Sequence, residues 1–505
     1  MGAIVDTAAG RVKGAEEEGL QVFRGLPYAK SPRGELRFCA PLALEPWAGV
    51  RDASGFGPSA PQNSMLLPLP GMDVGETDED CLHLNVWTPR ADDGGRPVLF
   101  WIHGGAFVIG SGSQSVYDGA ALARRGDAVV VTINYRLGPL GFLYLKDLCP
   151  DLPGATGNAG IRDQIAALEW VHDNIAGFGG DPDNVTIFGE SAGGMSVGTL
   201  LGVPAAHGLF RRAIAQSGAS HNFHTRESAT QAAETFLETL GVSPGDAAGQ
   251  LPQIPASKLL DIQRQIFFRL SSTFGLLPFQ PLVDDDVLPA PALDAIRAGN
   301  AEGVDVLVGS TCDEWKLFGM FDPDARTADA ETIVEKLGGR IPGVDVAALL
   351  ATYARAREGR LPTDPASLFF AIETDRIFRL PAIRLAEAQR THGEKLYMYR
   401  MDWCSPALEG RLGACHAIEL PFVFGTYAMP GAELFVGKGA EVRALADQMM
   451  DAWLGFARSG DPGHSGLPNW PRYELDGRET MTFGAESSLL SDPDSAERLV
   501  WEGLI

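Results

Sequence analysis

The sequence predicts an α/β fold in which a large, mostly parallel, twisted sheet carries helices on both faces. Short apolar runs alternate with helical patterns along most of the 505 residues. The runs are continuous in hydrophobicity, which is typical of strands that are covered on both faces. They also follow one another in the order strand, helix, strand, which indicates right-handed crossovers between parallel strands.

Five apolar runs are the strand candidates. They cover residues 98–102, 128–133, 185–188, 304–308 and 396–399. Between the second and third runs, Ile161, Ile165, Leu168 and Ile175 recur at helical spacing, which predicts a helix. The breaker cluster at residues 178–182 should end that helix.

Composition restricts the partners. The formal net charge is −24, which argues against nucleic acid and against anionic membrane surfaces. The N-terminus has neither the basic nor the apolar stretch of a secretion signal, and no apolar run reaches the length of a membrane span. The six cysteines form no C-x-x-C pair, and no metal cluster, phosphate loop or dinucleotide fingerprint is visible. We therefore expect a cytoplasmic protein with no cofactor and no metal, while its oligomeric state stays open.

The segment Gly189-Glu190-Ser191-Ala192-Gly193 matches G-x-S-x-G between a strand pattern and a helix pattern. In such a turn the serine is held in a strained conformation above the sheet, and the residues two before and two after it must be small. The adjoining helix N-terminus favours negative charge. Ser191 is therefore predicted to be a nucleophile, with a Gly-rich turn of no chemical role as the alternative.

A second Gly-rich segment, His103-Gly104-Gly105-Ala106, follows the first apolar run. Small residues there let the backbone N–H groups approach a reacting carbonyl closely. An ordinary tight turn after a strand is the alternative interpretation. Its place upstream of Ser191 favours an oxyanion-binding loop.

The base should be a histidine that comes late in the chain, because this type of site places the acid first and the histidine last after the nucleophile. His416 follows the last strong apolar run and is favoured among nine histidines. His392 and His464 are rivals, but both lie in hydrophilic stretches and are expected to be exposed.

The acid should follow a strand that lies between the serine and the histidine. The run at residues 304–308 leads to Asp313 and Glu314, and the residues alone do not decide between these two carboxylates. A further acidic run at residues 284–286 is better interpreted as a solvated turn.

Several ordered motifs resemble those of the type-B carboxylesterase family, which includes bacterial para-nitrobenzyl esterases and animal cholinesterases. The resemblance covers nearly the whole chain. Its main motifs lie at residues 23–29 (FRGLPYA), 79–86 (EDCLHLNV), 188–194 (FGESAGG) and 419–425 (ELPFVFG). It implies an α/β-hydrolase fold in one domain spanning residues 1–505, with a helical insertion over the active site around residues 319–390. It also implies hydrolysis of small-molecule carboxylic esters through an acyl-enzyme.

The resemblance also assigns roles to single residues. It implies that Glu314 is the acid and His416 the base of a catalytic triad with Ser191. The oxyanion donors that it implies are Gly105, Ala106 and Ala192. Three aromatic residues close in sequence to these positions are expected to line the substrate pocket, namely Phe107, Trp315 and Phe318.

The chain departs from the family at three positions. Trp315 follows the acid where the family usually has glycine. Ala60 replaces the cysteine that would pair with Cys81, so Cys81 is expected to be unpaired. Gly71 stands where cholinesterases carry an indole for the choline cation, which removes the main support for a cholinesterase.

Substrate detail stays open at this stage. The apolar residues 65–70, within the loop 64–80, are interpreted either as one wall of the pocket or as a packed surface loop. Amide, carbamate or lactone hydrolysis on the same scaffold, or a non-catalytic binding homologue, are the alternative functions.

Overall fold

The structure, a computed structural model, describes residues 2–64, 70–152, 154–392 and 395–504. The strands in this part are β1 (Ile4–Thr7), β2 (Gly10–Lys13), β3 (Ala15–Glu17), β4 (Leu20–Pro27), β5 (Val50–Asp52), β6 (His83–Thr88), β7 (Arg96–Ile102), β8 (Val129–Ile133), β9 (Gly180–Glu190), β10 (Arg212–Gln216), β11 (Asp305–Thr311), β12 (Leu396–Met401), β13 (Glu479–Phe483) and β14 (Ser488–Ser491).

Helices fill most of the chain between the strands. They are α1 (Ala120–Gly126), α2 (Gly138–Phe142), α3 (Ala159–Asn174), α4 (Ala192–Gly202), α5 (Arg226–Leu240), α6 (Pro244–Gln250), α7 (Ala256–Phe274), α8 (Ala292–Arg297), α9 (Trp315–Phe318), α10 (Pro323–Thr327), α11 (Ala330–Arg340), α12 (Val346–Arg357), α13 (Pro365–Thr374), α14 (Leu380–Arg390), α15 (Leu420–Val423), α16 (Ala432–Val436), α17 (Ala440–Ser459) and α18 (Ser495–Leu499). A π-helical turn, Asp375–Arg379, joins α13 to α14.

An 11-stranded mixed sheet organises the molecule, in the order β14-β13-β12-β11-β10-β9-β7-β8-β6-β4-β3. The strands from β8 to β13 in this order pair in parallel, and antiparallel strands extend both ends. A second sheet has the order β1-β2-β5. The predicted mostly parallel sheet is confirmed for the centre of the molecule.

The predicted apolar runs lie in β7, β8, β9, β11 and β12, and the predicted helix is α3, extended by the 3-10 turn Ile175–Phe178. Side chains of β7 alternate between two hydrophobic clusters. Phe100 and Ile102 belong to one cluster, whereas Leu99 and Trp101 belong to the other. Helices therefore cover both faces, which explains why the run is continuous and not alternating.

The carboxyl ends of β7, β9, β11 and β12 meet at one edge of the sheet because these strands run in parallel. The segments that follow these ends carry Gly104, Ser191, Glu314 and His416, respectively. Helices α10 to α14 lie between β11 and β12 in the chain. That they form an insertion over the active site stays a prediction. Among the described helices, none is long and apolar enough to cross a membrane.

Candidate active site

Ser191 lies at the turn from β9 into α4 with a strained backbone, φ 57° and ψ −125°. The turn is crowded on both sides of the serine. A Cβ on Gly189 would lie 2.5 Å from the carbonyl carbon of Gly193, and a Cβ on Gly193 would lie 2.0 Å from the carbonyl oxygen of Ile102. Glycine is therefore required at both positions, as the motif predicts. We call residues 189–193 the nucleophile elbow.

The loop after β7 approaches Ser191 closely. A Cβ on Gly104 would lie 3.0 Å from the Ser191 Cβ and 2.7 Å from the Glu190 carbonyl oxygen. Gly105 and Ala106 then adopt positive φ angles of 111° and 54°. This left-handed path, uncommon for a residue with a side chain, turns the backbone of the loop tightly beside the elbow.

Backbone donors are available on both sides of Ser191. In the described part of the chain, the N–H groups of Gly105, Ala106 and Ala192 donate to no backbone acceptor. Ala192 is the first residue of α4, where N–H groups have no partner within the helix. These three N–H groups are those predicted from the sequence to bind an oxyanion, and among the described residues no backbone acceptor uses them.

Glu314 and His416 meet directly. The Nδ1 atom of His416 lies 2.5 Å from Oε2 of Glu314, and Oε1 of Glu314 accepts a hydrogen bond from the Thr311 backbone N–H at 2.7 Å. Both side chains are buried. The carboxylate fixes the imidazole orientation and directs Nε2 away from Glu314.

Asp313, the other candidate acid, points elsewhere. Its Oδ2 atom accepts a hydrogen bond from the Ala414 N–H at 3.0 Å, and its Oδ1 atom pairs with Lys316 Nζ at 3.0 Å. Asp313 therefore fixes the loop that leads to His416, while Glu314 contacts the imidazole itself.

The Nε2 atom of His416 lies 3.1 Å from Oε1 of Glu190, the residue before Ser191. Both ring nitrogens thus lie within 3.1 Å of a carboxylate oxygen. Among the described residues no hydrogen bond joins Ser191 Oγ to the imidazole, and Glu190 Oε1 is buried without a hydrogen-bond partner, so its approach to Nε2 is a close charge contact only. Catalytic hydrogen bonds of unliganded sites often form only with substrate.

Three buried carboxylates, Glu190, Glu314 and Glu419, surround His416, and we call them the carboxylate cluster. Burial lowers the pKa of His416, but the three carboxylates outweigh this effect and raise the pKa to about 9. Burial raises the pKa of Glu190, and the negative charges of Glu419 and Glu314 raise it further against the opposing imidazole. Burial also raises the pKa of Glu419, with Glu314 as the next cause. Burial and the neighbouring carboxylates therefore oppose ionisation of Glu190 and Glu419.

Sequence reasoning missed Glu190 and Glu419 as parts of the site. The signals were present, because Glu190 is inside the G-x-S-x-G motif and Glu419 follows His416 by three residues. Their burial, which perturbs the pKa values, is a tertiary property.

Of the three residues predicted to line the pocket, Phe318 lies against His416, Trp315 lies behind Phe318, and Phe107 lies elsewhere. The Phe318 ring lies 5.0 Å from the His416 ring, and the Trp315 ring lies 4.9 Å from Phe318. Phe107 is fully buried next to the oxyanion loop. A residue that was not predicted, Phe378 of the π-helical turn, lies 4.8 Å from the His416 ring.

The rival histidines His392 and His464 were expected to be exposed, but both are half-buried. His392 Nε2 lies 3.2 Å from the Arg297 carbonyl oxygen, and His464 Nε2 lies 3.0 Å from that of Gln448. Backbone contacts of the two rings explain their partial burial.

Three other expectations concern Cys81, the loop at residues 65–69 and metals. Cys81 is a buried free thiol. Residues 65–69 lie outside the described residues, so their predicted role as a pocket wall stays a prediction. Within the described ranges, no group of three or more His, Cys, Asp or Glu is arranged to hold a metal ion.

Comparisons with known proteins agree over the whole chain. The profile of the carboxylesterase family matches residues 2–499. The para-nitrobenzyl esterase of Bacillus subtilis (strain 168) is 41% identical over 500 residues, which cover 98% of this chain and 97% of that protein. The liver carboxylesterase of Sus scrofa is 35% identical over 538 residues, covering 99% and 93%. A crystal structure of a Geobacillus stearothermophilus carboxylesterase at pH 6.2 has a TM-score of 0.89 and 43% identity, with 99% of both chains covered.

Proposed function

The chain belongs to the carboxylesterase family, has the α/β-hydrolase fold and is a carboxylic ester hydrolase, and on that premise we propose that Ser191, His416 and Glu314 are its catalytic triad. The observation that carries this proposal is the buried 2.5 Å contact between His416 Nδ1 and Glu314 Oε2 at the sheet edge that also holds Ser191. Glu314 keeps the imidazole in one tautomer and stabilises its charged form.

The first half-reaction forms an acyl-enzyme. Nε2 of His416 exchanges Glu190 for Ser191 Oγ and accepts its proton as the oxygen attacks the ester carbonyl. The negative charge that develops on the carbonyl oxygen is bound by the N–H groups of Gly105, Ala106 and Ala192. Loss of one such donor typically costs about 2.7–4 kcal/mol of transition-state stabilisation. The alcohol then leaves with the proton from His416.

The second half-reaction releases the acid. Water attacks the acyl carbonyl on Ser191 while His416 Nε2 accepts a proton from that water. The same N–H groups bind the oxyanion again, and the proton returns to Ser191 Oγ as the carboxylic acid leaves.

We propose uncharged esters of modest size as substrates. The imidazole is flanked by the aromatic rings of Phe318 and Phe378, which suit apolar groups. At the position of the cholinesterase indole, a Cβ on Gly71 would lie 2.5 Å from Met429 Cε, so methionine occupies that space. Ester cleavage is favoured by the names of the para-nitrobenzyl esterase and the liver carboxylesterase.

We further propose that the chain acts as a single-domain bacterial enzyme of the cytoplasm. Buried free thiols such as Cys81 and Cys415 suit a reducing compartment.

The test replaces the nucleophile. Ser191→Ala should abolish hydrolysis of nitrophenyl acetate, because the attacking oxygen is removed, while circular dichroism and the thermal unfolding midpoint stay close to those of the parent. Ser196→Ala is the matched control on α4, since Ser196 is buried but only accepts a hydrogen bond from Gln164. It should retain turnover.

A fluorophosphonate should in addition attach one label per chain, on the peptide that contains Ser191. Turnover by Ser191→Ala, or a label on another peptide, would refute the assignment of the nucleophile.

A further inference from the structure

The π-helical turn at Asp375–Arg379 brings an aromatic side chain to the imidazole. Such turns carry one extra residue in a helix and occur often at functional sites. Phe378 lies on this turn, is 1% exposed, and has its ring centroid 4.8 Å from that of His416 at an interplanar angle of 42°. Phe318 lies 5.0 Å from the same imidazole and is stacked with Phe378 at 5.8 Å and 13°. Two neighbouring rings therefore contact the imidazole.

Buried polar contacts hold the turn on its N-terminal side. The side chain of Glu373 is fully buried and accepts hydrogen bonds from Arg376 at 2.8 and 3.0 Å. Arg340 of α11 donates to the same carboxylate. A buried carboxylate with two guanidinium partners is costly to displace, so this end of the turn is fixed.

A second set of contacts holds the turn itself. Asp375 accepts a hydrogen bond from the Tyr353 hydroxyl at 2.6 Å and pairs with Arg379 at 3.0 Å. The Tyr353 oxygen in turn accepts from Trp501 Nε1 at 2.7 Å, and Arg379 donates to the Pro493 carbonyl. The C-terminal segment thus supports the turn that presents Phe378.

We propose that Phe378 is a positioning residue that holds the His416 imidazole in line for proton transfer, an inference that rests on the proposed function of His416. The ring nitrogens lie between two carboxylates, Glu314 on one side and Glu190 on the other. The packing of Phe318 and Phe378 against the imidazole limits how far the ring can tilt about its contact with Glu314. Without Phe378 the imidazole would sample a wider range of orientations, so that Nε2 would less often be placed to exchange Glu190 for Ser191 Oγ.

Phe378→Ala and Phe378→Met test the proposal in the full chain, with kcat and KM measured for nitrophenyl acetate and nitrophenyl butyrate. We expect kcat to fall about 10- to 100-fold for alanine, by a similar factor for both esters and with KM little changed, because a misplaced base slows proton transfer whatever the acyl group. Phe378→Met fills most of the space and should recover most of kcat.

Phe236→Ala is the matched control, because Phe236 is a fully buried phenylalanine on α5, outside the site. It should lose thermal stability like Phe378→Ala but keep kcat. Tyr353→Phe tests the same role without changing Phe378 itself, because it removes the hydroxyl that binds Asp375 and so weakens the support of the π-helical turn. We expect a smaller fall in kcat, again without a change in KM.

Two results would overturn the positioning role. One is an unchanged kcat for acetate with an altered KM or an altered acetate-to-butyrate ratio, which is the behaviour of a pocket wall. The other is an equal loss of kcat in Phe236→Ala, which is the behaviour of a general loss of stability. Failure of the proposed function would look different, because Ser191→Ala would then still hydrolyse both esters.

Discussion

Two buried charged regions of the molecule differ in how their charges are matched. Arg136 and Asp163, between β8 and α3, form a fully paired unit. The guanidinium reaches both carboxylate oxygens at 2.6 and 2.7 Å, the Arg136 N–H donates to the same carboxylate at 3.0 Å, and a further guanidinium N–H donates to the Cys39 carbonyl at 2.7 Å.

In the carboxylate cluster around His416, by contrast, the negative groups outnumber their partners. Three carboxylates share one imidazole, and among the described residues Glu419 Oε2 and the Tyr399 hydroxyl are buried without a hydrogen-bond partner. The paired unit fixes structure, whereas in the cluster burial and neighbouring carboxylates raise the pKa values of Glu190 and Glu419, as is common at functional sites. Mutations should therefore affect mainly stability in the first region and mainly chemistry in the second.

The largest expected effect is a loss of kcat when the carboxylate that contacts His416 is replaced. Glu314→Gln should lower kcat for nitrophenyl acetate by about 10³- to 10⁴-fold, because the imidazole loses the group that sets its tautomer and stabilises its charge. Asp313→Asn is the control beside it and should change kcat little, since Asp313 contacts the loop and Lys316. The reverse outcome would move the catalytic acid to Asp313.

A second variant tests the other half of the comparison. Asp163→Asn leaves the Arg136 charge buried without its counterion, which should lower the free energy of unfolding by about 3–5 kcal/mol in denaturant titrations. The kcat per folded molecule should stay near that of the parent. A large fall in kcat with unchanged stability would show that the two regions do not divide the roles in this way.

The smallest expected effect is a displaced pH profile. A neutral imidazole must accept the serine proton, so kcat/KM should rise with pH through the pKa of His416, which the carboxylates raise to about 9. Because Glu190 is the leading carboxylate in that effect, Glu190→Gln lowers this pKa, and the midpoint of the rise should move to lower pH by about one unit.

Asp313→Asn serves again as the control in the same titration, with its midpoint expected to stay in place. If the midpoint of Glu190→Gln stayed in place or moved to higher pH, Glu190 would not be a carboxylate that raises the pKa of His416.

The parts of the site that sequence reasoning could predict are those with a local pattern. Gly189, Ser191 and Gly193 are neighbours in one turn, and crowding within that turn dictates their identities. Asp313 and Glu314 both follow β11, and the residues alone left that choice open because it depends on side-chain direction. The family resemblance pointed to Glu314, and the contact with His416 supports it.

The features that escaped prediction are tertiary. The central strands were found because they are continuously apolar, whereas the short outer strand β14 is largely exposed and has no such run. Phe378 is far from Ser191 in the chain, and a π-helical turn changes the helical spacing that pattern reasoning relies on. Burial of Glu190 and Glu419 likewise depends on elements brought together only by folding.

The contact between the elbow and β7 matters for anyone who wishes to engineer the enzyme. A methyl group at position 193 would press on the Ile102 carbonyl, the last residue of the strand that leads into the oxyanion loop. One substitution would thus displace the proposed nucleophile and the proposed oxyanion donors together, so randomising this position should produce inactive clones whatever the substrate. A library intended to change substrate choice should leave both elbow glycines alone and vary Trp315, whose ring reaches the imidazole only through Phe318.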